Sequence, residues 1–161
     1  SNSWSPFMDL FLVSRCRYYF GDTSGFWAVA ALFRKPIVSV NIIPFDTVSR
    51  STQADLFIPK KIWSKRDKRF LTFKEILTSE VRRFCRNQDY ERNDLECVAN
   101  SPQEIRDLII EMEARLIGAW VADESDEELQ KRFRSLIEAH GCHTVPRIGA
   151  HFLRENAFLL D

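Results

Sequence analysis

A chain of 161 residues that is 45% hydrophobic and 29% charged can bury one real core, which excludes disordered and fibrous classes and describes a single domain over residues 1–161. Lys plus Arg and Asp plus Glu each number 23, so no overall field draws nucleic acid or anionic membrane. No apolar stretch approaches the ~20 residues of a membrane span, and no basic region leads into an apolar signal core at the N-terminus, so the expectation is a cytoplasmic protein or a soluble piece of one.

The first predicted element is a helix from about Pro6 to Ser14. There Phe7, Leu10, Phe11 and Cys16 recur at helical spacing, and Asp9 suits the positive end of the helix dipole. "RYYFG" then reads as a short buried strand near Tyr18–Gly21, "FWAVAALF" as a mostly apolar and hence buried helix, and "PIVSVN" as a second strand over Ile37–Asn41. So short a helical crossover makes the two strands parallel. From Ile42 to Leu71 the periodicity is lost. The stretch reads as an excursion loop beyond the carboxyl end of the second strand, with the basic run "KKIWSKRDKR" (Lys60 to Arg69) as a solvated face.

Three helix starts follow. Thr72 to Glu75 forms a capping box opening a helix that ends near Cys85, Ser101 to Glu104 forms a second with Pro102 in its first turn, and Ser125 to Glu128 a third. Between the first two, Gln88 to Asp94 reads as a polar loop and Leu95–Ala99 as a third strand of the same parallel sheet. In the tail, Ile148, Phe152, Leu153, Phe158 and Leu159 are expected to dock on the body.

Cys16, Cys85, Cys97 and Cys142 follow no framework spacing and read as reduced thiols. "HGCH" (His140 to His143) has no second ligand pair, and Gly141 reads as a helix stop, so no metal site is assigned. The sum is an α/β chain, a partial Rossmann-like three-layer arrangement of about three parallel strands and about five helices. So few strands make a small sheet. The expectation is a C-terminal portion that needs a missing N-terminal domain, or a homo-oligomer formed through the open sheet edge.

The stretch most suggestive of chemistry is "YYFGDTSGFW". A polar Asp22-Thr23-Ser24-Gly25 between a strand and a helix lies where α/β proteins present backbone N–H groups to anionic ligands. The alternative is a simple capped turn, with Thr23 or Ser24 as N-cap.

Six blocks carry a resemblance that spans nearly the whole chain: "FMDLFLVSRCRYYFGDTSGF", "KPIVSVNIIP", "LFIPKK", "NSPQEIRDLIIEM", "ELQKRFRSL" and "RIGAHFLREN". They resemble a group of bacterial glycosyltransferases of GT-B type known from surface-polysaccharide gene clusters. The resemblance implies the nucleotide-sugar-binding C-terminal half of a two-domain transferase, with a glycan acceptor held by the other half. Nucleotide-sugar is then the substrate, and no cofactor is tightly bound. It further implies that Asp22, Thr23, Ser24 and Gly25 lie against the donor diphosphate. Asn41 and Pro44 would close the following strand, and Lys60 and Lys61 would reach the same cleft. No residue matches a catalytic base. Departure of a nucleoside diphosphate builds negative charge on the β-phosphate, which fixed N–H dipoles and a cation stabilise. The alternative reading is a non-catalytic module that binds protein through Trp4, Phe7, Trp27, Trp63 and Trp120, or a sugar phosphate through the helix start.

Overall fold

The structure, a computed structural model, describes residues 5–22, 24–50, 54–141 and 146–161. It is an α/β protein with a four-stranded, all-parallel sheet, compatible with a Rossmann-like fold. Its strands are β1 (Tyr19–Gly21), β2 (Ile37–Ile42), β3 (Leu56–Pro59) and β7 (Arg147–Ile148), in the order β1-β2-β3-β7. β1 and β2 pair in parallel around the helix α2 (Gly25–Leu32), as the short crossover predicts. Strand order never reverses along this sheet.

The expected third strand is a correction. β6 (Leu95–Val98) does not join the parallel sheet; it pairs antiparallel with β4 (Lys61–Ser64), which also pairs with β5 (Arg69–Phe70), in a separate three-stranded sheet. The predicted excursion loop therefore contains three strands. β3 ends at Pro59, which has no N–H of its own, and the chain turns through Lys60, whose amide still donates to the Ile42 carbonyl at 3.3 Å, into the second sheet.

Helix starts follow side-chain chemistry closely. Thr72 and Glu75 exchange both bonds of a capping box at α3 (Phe73–Thr78), and Ser101 and Glu104 do the same at α5 (Pro102–Leu116). α3 is shorter than expected: it gives way to a 3-10 turn, Glu80–Arg83. Gln88 to Asp94 is not all loop, because α4 (Asn87–Glu91) occupies part of it and buries Tyr90. Nor does Ser125 cap the next helix. Asp123 takes that role, accepting from the Ser125 amide at 2.8 Å, so α6 (Glu124–Ala139) begins earlier than expected.

The main core lies where α3, α5 and α6 meet the parallel sheet. Phe133 on α6 packs edge-on against Phe73 and at a tilt against Phe57, with ring centroids 5.2 and 5.9 Å away. α7 (Ala150–Glu155) closes the tail against α5 and α6. Ile148, Phe152, Leu153 and Leu159 are buried as expected, whereas Phe158 stays 46% exposed.

The first helices depart most from expectation. α1 (Pro6–Arg15) forms where predicted but buries none of its residues, and Phe7 is 73% exposed. α2, read as a buried helix, buries only Ala30.

Candidate functional site

Each parallel strand ends on the same side of the sheet, where Asp22, Ser24, Gly25 and Asn41 lie, whereas Lys60 and Lys61 follow β3 toward the second sheet. β1 runs out through Gly21 into Asp22, and Ser24 is the N-cap of α2. Thr23 lies outside the described residues. Ser24 makes no side-chain cap bond. Its amide instead donates to Asp22 Oδ1 at 3.0 Å, and its hydroxyl shares a 2.9 Å hydrogen bond with the Tyr19 hydroxyl. Asp22 therefore holds the loop, as an Asx turn does.

Gly21 explains how Tyr19 reaches so far. A Cβ there would sit 2.7 Å from the Tyr19 hydroxyl oxygen, so only glycine lets this ring fold back over the strand toward Ser24. At Gly25 an added Cβ would meet nothing within 4 Å, so the space beside the helix start is open. Asp22, Ser24 and Gly25 are all exposed.

One strand further in, Asn41 is built into the fold. Its backbone is left-handed, with φ 55°, a conformation that asparagine tolerates better than most residues, and it lies where the β2–β3 register shifts. Asn41 and Asn100 clasp each other: the Asn41 amide donates to Asn100 Oδ1 at 2.6 Å, and the Asn100 amide donates to Asn41 Oδ1 at 2.7 Å. Asn100 Nδ2 then donates to the Pro59 carbonyl at 2.8 Å. This one side chain ties the ends of β2 and β3 to the entrance of α5. Beside it, the Ile43–Pro44 bond is cis.

The two lysines part company. Lys61 Nζ donates to Glu104 Oε1 at 2.8 Å and to Asn156 Oδ1 at 3.3 Å, and lies 5.7 Å from the Phe70 ring centroid. Its side chain is only 17% exposed, so it acts as an internal brace between β4, α5 and the tail. Lys60 lines a groove of about 530 Å³ with Lys65, Tyr90, Glu91, Glu96 and Cys97, between the small sheet and α4. Gly21 is level with Ser39, and Ser39 with Phe57, so Lys60 leaves a strand two sheet spacings, on the order of 10 Å, from the Asp22 loop.

Burial pushes the Glu104 carboxyl up, but the Lys61 ammonium and the Ser101 hydrogen bonds outweigh it, and the net direction is down. A carboxylate held below its unfolded value stabilises the fold above that value and loses the contribution as pH falls through the folded one. Lys61→Ala is therefore expected to cost about 1–3 kcal/mol at neutral pH. It should also flatten the acid limb of the Tm-versus-pH curve below about pH 4.5. Thermal melts of both proteins between pH 3 and 7 check this. Two parallel curves would show that the ion pair contributes nothing.

Among the described residues no cluster of His, Cys, Asp and Glu could hold a metal ion, and Cys142 and His143 lie outside them. His140 Nδ1 lies 2.8 Å from the Leu136 carbonyl oxygen of its own helix. Of the aromatics read as a binding surface, Trp4 is outside the described residues and Trp120 lies under Arg115, 4.7 Å from guanidinium carbon to ring centroid. Trp27 and Trp63 are half-buried. Among the described members of that set, only Phe7 is broadly exposed.

Sequence reasoning missed Tyr19, Gly21 and Asn100. Gly21 was legible as a glycine ending an aromatic strand. The Asn41–Asn100 clasp spans 59 positions and leaves no local signal. No family model, no curated protein and no solved structure matches the chain. No described helix is long and apolar enough to cross a membrane.

Proposed function

We propose that the chain is the donor-binding portion of a glycosyltransferase of GT-B type, which moves a sugar from a nucleotide-sugar to a glycan acceptor. One observation carries the reading. A parallel strand delivers the exposed residues Asp22, Ser24 and Gly25 to the start of a helix, and the space beside Gly25 is open. Such a junction suits a diphosphate, since backbone N–H groups and the helix dipole both favour negative charge there. The Tyr19 and Ser24 hydroxyls add a bonded pair at its edge, while Lys60 lines a separate groove beside α4 and does not supply the cation there.

Gly25→Val is the test. The φ of Gly25 is not in the left-handed range and its Cβ direction is free, so valine leaves the fold intact but fills the space a phosphate needs. Uridine and guanosine diphosphates and their sugars are expected to shift the amide resonances of residues 22–26, with affinity falling more than about tenfold in Gly25→Val at unchanged Tm. Equal binding by both proteins, or no shift at millimolar ligand, would remove the donor-site reading.

A second reading, a non-catalytic interaction module, is favoured by the way Asn41 and Lys61 are spent within the fold. It predicts that no nucleotide binds.

A further inference from the structure

At its carboxyl end, away from Asp22 and Ser24, α2 stops in a Schellman turn. The Lys35 amide donates to the Ala30 carbonyl at 3.0 Å and the Arg34 amide to the Ala31 carbonyl at 3.0 Å, which puts Arg34 in the left-handed region with φ 54°. Glycine adopts that conformation without strain. Arginine holds it here against the steric cost of its Cβ, so a long cationic side chain stands where the backbone alone asks for none.

Arg34 lines a cavity of about 420 Å³ between α2 and the amino ends of β2 and β3, a size within the ~300–1,000 Å³ of small-molecule sites. Trp27 and Ala31, four residues apart on one face of α2, give it apolar lining together with Pro36. Arg34 and Lys35 bring two positive charges. Among the described residues neither side chain makes an ion pair or a hydrogen bond or lies over an aromatic ring. The carboxylate in the lining is Asp55, 3% exposed, whose Oδ1 accepts from the Ile37 amide at 2.8 Å. Two cations against one carboxylate leave a single positive charge, which matches a monoanion and not a phosphate dianion.

We propose that this cavity binds a small aromatic carboxylic acid, its ring against Trp27 and Pro36 and its carboxylate on Arg34 and Lys35. A guanidinium forks onto a carboxylate through two parallel N–H bonds, and an indole wall favours a flat apolar body. The cavity lies at the opposite end of β2 from Asn41, so it is independent of the donor site and stands under either functional reading.

Titration of the 161-residue chain with indole-3-acetate should shift the Trp27 indole N–H and the Lys35 and Ala54 amide resonances, with a dissociation constant below about 1 mM. Arg34→Gly removes the guanidinium and suits the left-handed backbone, which offsets the extra freedom of glycine in the unfolded chain. It should weaken binding more than about tenfold with little change in Tm. Ala31→Phe fills the cavity from an exposed helix position and should do the same. Indole-3-acetamide lacks the charge and inorganic phosphate lacks the ring, so each should bind at least about tenfold more weakly. Absence of any shift at about 10 mM indole-3-acetate overturns the proposal, as does binding indifferent to both substitutions, or amide or phosphate binding as well as the acid. An Arg34→Gly protein that melts lower while binding the acid unchanged overturns it too, because the arginine then serves only to offset the dipole at the end of α2.

Discussion

Glu111→Ala should be the most damaging single change outside the apolar core, at a cost of about 3–5 kcal/mol. Glu111 is 2% exposed. Its Oε1 accepts from Arg115 Nε and Nη2 at 2.9 and 2.8 Å, and its Oε2 accepts from the Ala150 amide at 2.7 Å. Truncation leaves a half-buried guanidinium without its counter-charge and strands the first amide of α7. For a domain of this size the loss corresponds to a Tm drop on the order of 10 °C. Glu111→Gln keeps one acceptor oxygen and should fall between the two proteins. If thermal melts place Glu111→Ala within 2 °C of the parent, the anchor of α7 lies elsewhere, in the packing of Phe152 and Leu153.

The second large effect is expected at Asn100, where alanine removes the acceptor of the Asn41 amide and the donor to the Pro59 carbonyl together. Each buried group left unpaired costs about 1–3 kcal/mol, so a total of roughly 2–6 kcal/mol follows, read as a shifted urea midpoint with unchanged slope. The partner residue separates two contributions. Asn41→Gly keeps the left-handed backbone at no strain and loses only the side-chain oxygen, whereas Asn41→Ala loses both and should be the worse. If the proposed donor site binds nucleotide, its affinity, measured well below Tm, should stay unchanged in Asn100→Ala, because the clasp holds the ends of β2 and β3 and not the residues after β1. Loss of binding in that variant would move the donor contact to β2.

What the sequence determined by itself was local. The capping boxes at Thr72 and Ser101, the β1–α2–β2 unit and the burial of the tail are written in residues within one or two turns of each other, where a hydroxyl finds its own N3 amide whatever the rest of the chain does. The class of protein, α/β with a parallel sheet, follows from the same short-range pattern. Even α6 fits the rule, since Asp123 outcompetes Ser125 as a cap two residues earlier. The tertiary structure decided how strands are shared out. β3, β4 and β5 have only two to four residues each, too few for any periodicity to register; β5 pairs with β4 across a short hairpin, but β7 and β6, which pair with β3 and β4, lie tens of positions away. β6 looks like one more buried parallel strand until β4 claims it. The candidate site divides in the same way. The junction from β1 through Asp22 and Ser24 to Gly25 was legible because strand and helix are close in sequence. Lys61 and Asn41 were not, because Glu104, Asn156 and Asn100, their distant partners, determine what they do. The burial of α2 was not legible for the same reason: apolar composition marks a surface that can be covered, and only the assembled fold shows that this chain leaves most of it open.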